Sequence, residues 1–217
     1  MAKKVGVLLS GCGVFDGSEI HEAVLTLLFL DREGAETVCM APDMEHEVIN
    51  HLTQEPAGEK RNVLAESARI ARGNIRNLKE VNVSDMDALI LPGGFGAAKN
   101  LSDFAVKGPD ATVHPEVSRI LKEMTAAQKP VGAICIAPAT VTKALGEINP
   151  EVTIGNDTGT AAGIEKAGGK HVNCTVGQIH TDEKNKIVTT PAYMLGPGIK
   201  DIAVGIEQLV KKIVSMI

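Results

Sequence analysis

The chain has no tryptophan, one tyrosine and four phenylalanines among 217 residues. With aromatics at 2 %, a ring-stacked interior is excluded, and Val, Ile, Leu, Ala and Met must fill the core. Cysteine is scarce too. The four cysteines, at 12, 39, 135 and 174, form no C-x-x-C pair and no zinc-finger spacing. A disulfide framework is not needed, and a reducing compartment is the simpler reading. Long apolar runs are missing. The longest uncharged apolar stretch, 23–30, falls far short of the ~20 residues that span a bilayer. Leu9-Ser10-Gly11-Cys12 looks like a lipoprotein cleavage box, but the apolar run before it, 5–9, is shorter than a secretory core of ~7–15 residues. A cytoplasmic protein without a membrane partner is expected. A basic footprint is also absent. The net charge is -5 and the 22 Lys and Arg are scattered, which argues against a nucleic-acid partner.

What is present is ordinary globular composition, 44 % apolar and 23 % charged. Strand-like and helix-like stretches alternate throughout. Strands are expected at 5–9, 36–41, 88–91, 131–134, 153–154 and 186–190. Helices are expected at 18–33, 63–72, 115–127, after Cys135 and at 198–214. Residues 42–61 read as polar and irregular, and 170–181 as a candidate edge hairpin. Continuous apolar strands that alternate with helices imply an α/β fold with a mostly parallel sheet covered on both faces, a three-layer α/β/α sandwich. With no repeat and no linker, residues 1–217 read as one domain.

Ligands of such sheets bind beyond the carboxyl ends of the strands. That draws attention to the loops at 10–18, 92–97, 135–138 and 190–197. In KPVGAICIAPATV, strand 131–134 turns straight into a helix at Cys135. Such a turn projects its residue as a nucleophile elbow does. Small neighbours, Gly132, Ala133, Ala137 and Ala139, permit the tight backbone, and Pro138 suits a first helical turn. The helix N-terminus would favour a thiolate. Acidity alone gives little rate, because nucleophilicity falls with pKa. The gain must come from placement and from stabilising charge on the substrate oxygen. A buried structural cysteine is the competing reading.

LPGGFG supplies Gly93 and Gly94, whose N–H groups could join that of Ile136 in an oxyanion hole. The spacing is not that of a phosphate-binding P-loop. SGCGVFDGSEIHEAV follows the first strand. Ser18 is the expected helix cap. Glu19 and Glu22 share a helix face, and an apolar stripe of Ile20, Val24, Leu27 and Leu28 is expected against the sheet. Glu22 would then point into the crevice. Acidic residues also suit helix N-termini for dipole reasons. His21-Glu22 has no second histidine at metalloprotease spacing, so no metal and no cofactor is expected. Cys12 is a candidate redox site in the crevice loop, whereas Cys39 and Cys174 read as structural.

SGCGVFDGSEIHEAV, LPGGFGAAKNLSDFA, ICIAPA and NKIVTTPAYM together resemble the class I glutamine amidotransferase-like superfamily, in its PfpI and Parkinsonism-associated deglycase branch. Within it they look like the ElbB (enhancing-lycopene-biosynthesis) group, nearly end to end. The resemblance implies a flavodoxin-like sandwich and a homodimer. It implies Cys135 as the elbow nucleophile, a glutamate touching its sulfur (Glu22 by spacing, Glu19 second), and an oxyanion site at Gly94 and Ile136. The implied activity is glutathione-independent conversion of glyoxal, a small dicarbonyl, to glycolate, with repair of early glycation adducts as an extension. Many superfamily members place a histidine directly after the nucleophile. Ile136 stands there, which argues against peptidase or amidotransferase chemistry. A redox or electrophile-sensing module, or a partner-binding one, is the alternative.

Overall fold

A computed structural model describes residues 3–217. In chain order the elements are β1 Lys4–Leu8, α1 Ile20–Arg32, β2 Glu36–Ala41, β3 Glu45–Ile49, β4 Pro56–Asn62, α2 Val63–Ile70 and β5 Arg76–Asn77. Then come β6 Ala88–Leu91, α3 Phe95–Lys99, α4 Phe104–Lys107, α5 Pro115–Ala126, β7 Val131–Ile134 and α6 Ala137–Leu145. The chain closes with β8 Glu151–Val152, α7 Thr158–Lys166, β9 Lys170–His171, β10 His180–Asp182, β11 Ile187–Thr190 and α8 Ile199–Ser215.

Seven strands form one sheet in the order β10-β11-β7-β6-β1-β2-β5, and every pairing is parallel except β10 with β11. The central strands β6 and β7 read as unbroken apolar runs because both faces are covered. In β6, Leu89 and Leu91 enter the core beneath α5 and α6, while Ala88 and Ile90 enter the core shared with α1 and α8. This is the flavodoxin-like three-layer α/β/α sandwich. The chain leaves β1 toward β2 and β5, then returns to place β6 on the other side of β1. That reversal opens a crevice at the carboxyl ends of β1 and β6, with the end of β7 beside it.

Four local expectations change. Residues 42–61 are not irregular: β3 and β4 form an antiparallel hairpin as a separate two-stranded sheet. Its strands carry charge on exposed faces, so no apolar alternation marks them. The expected edge hairpin at 170–181 is absent. β9 instead pairs parallel with β8, and β10 pairs with β11. The cap of α1 is Glu19, whose Oε2 accepts the N–H of Glu22 at 2.7 Å. Ser18 is buried, its hydroxyl bound to the N–H and hydroxyl of Ser10.

The fourth change concerns the face of α1. Ala23, Thr26, Phe29 and Leu30 face the core, together with Glu22, whereas Ile20, Val24 and Leu28 are exposed. Both faces repeat at helical spacing. Hydrophobicity alone chooses the wrong one, because the buried face contains a glutamate and a threonine. Among the described residues no helix is long and apolar enough to cross a membrane.

Candidate functional site

β7 ends at Ile134 and α6 begins at Ala137, so the chain must reverse within two residues. Cys135 takes the strain. Its φ is +61°, a left-handed conformation that costs a non-glycine residue ~1 kcal/mol or more. Its N–H is held by the carbonyl of Thr190 at the end of β11, at 2.9 Å. The side chain is only 8 % exposed.

Opposite the sulfur, the loop after β6 comes as close as two backbones can. A Cβ on Gly93 would overlap the Cβ of Cys135 and lie 2.6 Å from Glu22 Oε2, so only glycine fits. Gly94 has φ +90°, and a Cβ there would strike the backbone of Gly17 and Glu19. The N–H groups of Gly94 and Ile136 both act on the Cys135 sulfur.

Glu22 is fully buried at the start of α1. Its Oε2 accepts the N–H of Gly93 at 3.0 Å and its Oε1 accepts the N–H of Tyr193 at 3.2 Å. The Cys135 side chain lies beside it across Gly93, and the two groups shift each other's pKa. Burial, and then the charge of Glu19, push the Glu22 carboxyl up to about 8, and its hydrogen bonds offset this only in part. At neutral pH the group is therefore mostly a carboxylic acid.

The thiol moves the same way. Burial first, and the Glu22 charge second, hold Cys135 well above its ordinary value, although the N–H groups of Gly94 and Ile136 pull it down. The thiolate expected from the helix N-terminus is not the resting form. An enclosed sulfur loses more from desolvation than two amide dipoles return.

The fold thus brings Cys135, Glu22, Gly93, Gly94 and Ile136 together. Glu19 adjoins them but faces elsewhere: Oε2 caps α1, and Oε1 lies 3.9 Å from His21 Nδ1. Cys12 lines a different cavity of ≈ 310 Å³, with Asp16, His46, His51, Arg61 and Glu66 under the β3–β4 hairpin. Burial and the Glu66 charge raise its pKa. Cys39 and Cys174 lie outside both groups.

Sequence reasoning weighs His21 only as a metal ligand and gives Tyr193 no role; His21 Nδ1 and the Tyr193 hydroxyl are 2.8 Å apart. Tyr193 is the chain's one tyrosine, in a loop marked by its position after the last parallel strand. That signal could have found it.

Comparison with known proteins finds close relatives. The chain is 48 % identical over 98 % of its length to the mitochondrial ES1 protein homolog of Rattus norvegicus, covering 84 % of that protein. It is 48 % identical over 99 % of its length to the human mitochondrial glutamine amidotransferase-like class 1 domain-containing protein 3, again covering 84 %. A crystal structure from Ehrlichia chaffeensis, described as an isoprenoid biosynthesis protein with an amidotransferase-like domain, superposes with a TM-score of 0.92 at 38 % identity. It covers 99 % of this chain and 100 % of that one. The mitochondrial names overturn the expectation of a cytoplasmic protein and point to a mitochondrial setting instead. Address signals, not domain composition, decide the compartment, and free thiols suit either reducing interior. The DJ-1/PfpI family profile matches residues 12–190, a span that includes the strained cysteine, its buried glutamate and both glycines, and the chain belongs to the DJ-1/PfpI family.

Proposed function

We propose that the protein is a cysteine-dependent glyoxalase that converts glyoxal, and by extension methylglyoxal, to the 2-hydroxy acid without glutathione. The observation that carries this reading is the pairing of a strained cysteine with a buried carboxyl that is raised to about 8. The N–H groups of Gly94 and Ile136, which pull the thiol pKa down, complete it. A general acid–base works best when its pKa lies near the working pH. Glu22 meets that condition, and the residue directly after Cys135 is Ile136 rather than a histidine base.

In this mechanism Glu22, in its carboxylate form, takes the thiol proton as the Cys135 sulfur adds to one aldehyde carbon, then passes that proton to the new oxygen and is a carboxylate again for the next step. The oxyanion of the hemithioacetal is held by the N–H groups of Gly94 and Ile136, with Gly93 keeping the approach open. Glu22 removes the proton from that carbon to give an enediol, then returns a proton to the second carbon. The product is a glycolyl thioester. Water cleaves it to glycolate and regenerates the thiol. No oxidant is consumed, since one carbon is oxidised as its neighbour is reduced. Glu19 and Cys12 have no step in this scheme.

The whole of 1–217 is taken as the unit that carries the reaction. Membership of the ElbB-like group is part of the proposal, and the 38 % identity to the Ehrlichia chaffeensis protein supports it. A homodimer is proposed as well, supported by the exposed apolar stripe of Ile20, Val24 and Leu28 on α1. The experiment for the function is glyoxal and methylglyoxal turnover by native protein and Cys135→Ser, side by side. Native protein should turn over at ~1 s⁻¹ or faster, and the serine variant should be inert. Stoichiometric consumption of one dicarbonyl per thiol, without turnover, would favour an electrophile-sensing module instead.

A further inference from the structure

Glu22 and Cys135 sit inside a closed circuit of contacts. The Cys135 side chain lies beside the Glu22 carboxyl, both packed against Gly93. Glu22 Oε1 accepts the Tyr193 N–H at 3.2 Å. The Tyr193 hydroxyl lies 2.8 Å from His21 Nδ1, with the two rings 5.9 Å apart and tilted. His21 Nδ1 is 3.9 Å from Glu19 Oε1, and Glu19 Oε2 accepts the N–H of Glu22. The circuit joins α1 to the turn after β11 twice, through the Glu22–Tyr193 N–H bond and through one bond between two side chains, His21 and Tyr193.

That turn is unusual. Ala192 has φ +43°, a left-handed conformation unusual for a residue other than glycine. The turn is a short 3₁₀ segment, Ala192–Met194, with no side-chain cap. Tyr193 reaches back from it to the first turn of α1, so its ring fixes the position of its own N–H.

We propose that His21 and Tyr193 are positioning residues for Glu22: their side-chain bond pins the 191–194 turn to α1 and so holds the Tyr193 N–H on the Glu22 carboxyl. Neither residue acts on substrate in this proposal. The groups that face Glu22 are Glu19 and His21 on α1, Cys135 on the β7–α6 turn, and the N–H groups of Gly93 and Tyr193. Of these, only the Tyr193 N–H depends on a side-chain tether between elements. Loosening it removes a donor that favours the charged carboxylate, which raises the titration midpoint. Burial and the Glu19 and Glu22 charges also raise the Tyr193 phenol, so it stays neutral across the working range and the tether survives there.

The proposal deepens the reading above and rests on Glu22 being the partner of Cys135. Its test needs no dicarbonyl, so its failure is distinct from failure of the glyoxalase reading. The rate of Cys135 alkylation by iodoacetamide is followed from pH 5 to 10, with the cysteine-containing peptides resolved by mass spectrometry. The Cys135–Glu22 pair titrates as a unit, so the profile gives apparent midpoints of the pair. Tyr193→Phe and His21→Ala should each raise the lower midpoint by ~0.5–1 unit. The double variant should shift no further, because both changes cut the same bond. His21→Asn, whose amide can occupy the place of Nδ1, should restore the native profile. Native profiles in both single variants overturn the proposal, even where Tm falls. So do additive shifts in the double variant, or a His21→Asn profile like that of His21→Ala.

Discussion

Replacing Glu22 by glutamine should make the protein more stable at alkaline pH while abolishing turnover. The carboxyl is fully buried, and its pKa rises from 4.5 to about 8 on folding. Between those values the unfolded chain has released the proton and the folded chain keeps it. The unfolded state then binds fewer protons, so native stability falls as pH rises, by about 1.4 kcal/mol per unit. The full loss across the window is about 5 kcal/mol, and roughly 3 kcal/mol of it has accrued by pH 7. Glutamine does not titrate and escapes this loss. It has its own cost, because each carboxyl oxygen accepts a backbone N–H, from Gly93 and from Tyr193. An amide nitrogen cannot accept either one, and an orphaned buried donor costs ~1–3 kcal/mol.

The two stability curves should therefore cross near pH 6. Below the crossing the native protein is the more stable; above it Glu22→Gln is. Thermal unfolding of both proteins at pH 5.5, 7 and 8.5 measures this. The difference should change by about 3 kcal/mol over the series, or about 10 °C in Tm for a chain of this size. Turnover should vanish at every pH, because an amide cannot carry the proton between the two carbons. A stability difference that stays flat with pH would refute the reasoning, since Glu22 would then titrate alike in both states.

If the pair must lose one proton before attack, glyoxal turnover should climb with pH through about 8, the value set by burial of Glu22; a plateau already reached at pH 6 would contradict this. Gly93→Ala should cut turnover ~100-fold and slow Cys135 alkylation, because the new methyl group displaces both Cys135 and Glu22; native rates in that variant would disprove the close approach. Val24→Asp places a charge within the exposed stripe of α1 and should give a monomer in sedimentation equilibrium where the native protein is a dimer; an unchanged mass would remove that surface from the dimer proposal.

The amino-acid sequence by itself determined the alternation of strands and helices, and with it a parallel sheet between two helical layers. Strands buried on both faces must be largely apolar: β6 and β7 are throughout, β1 is after Lys4, and β11 buries two threonines. It also singled out Cys135 as the join of a strand and a helix, and Gly93 and Gly94 as a place of close backbone approach, because tight turns restrict residue type. It could not choose the buried face of α1, since two stripes repeat at the same period and the buried one contains Glu22. Nor could it find the β3–β4 hairpin, whose exposed strands carry no apolar alternation. The tertiary structure decided which glutamate meets the sulfur: Glu19 is used up as the helix cap, and Glu22 is aimed inward. It decided the protonation state too, because pKa depends on burial and on neighbours that come from four different parts of the chain. Tyr193 and His21, 172 positions apart, meet only because two strands alone separate β11 from β1 and α8 packs beside α1. Such a contact is a property of topology, and no local pattern of residues encodes it.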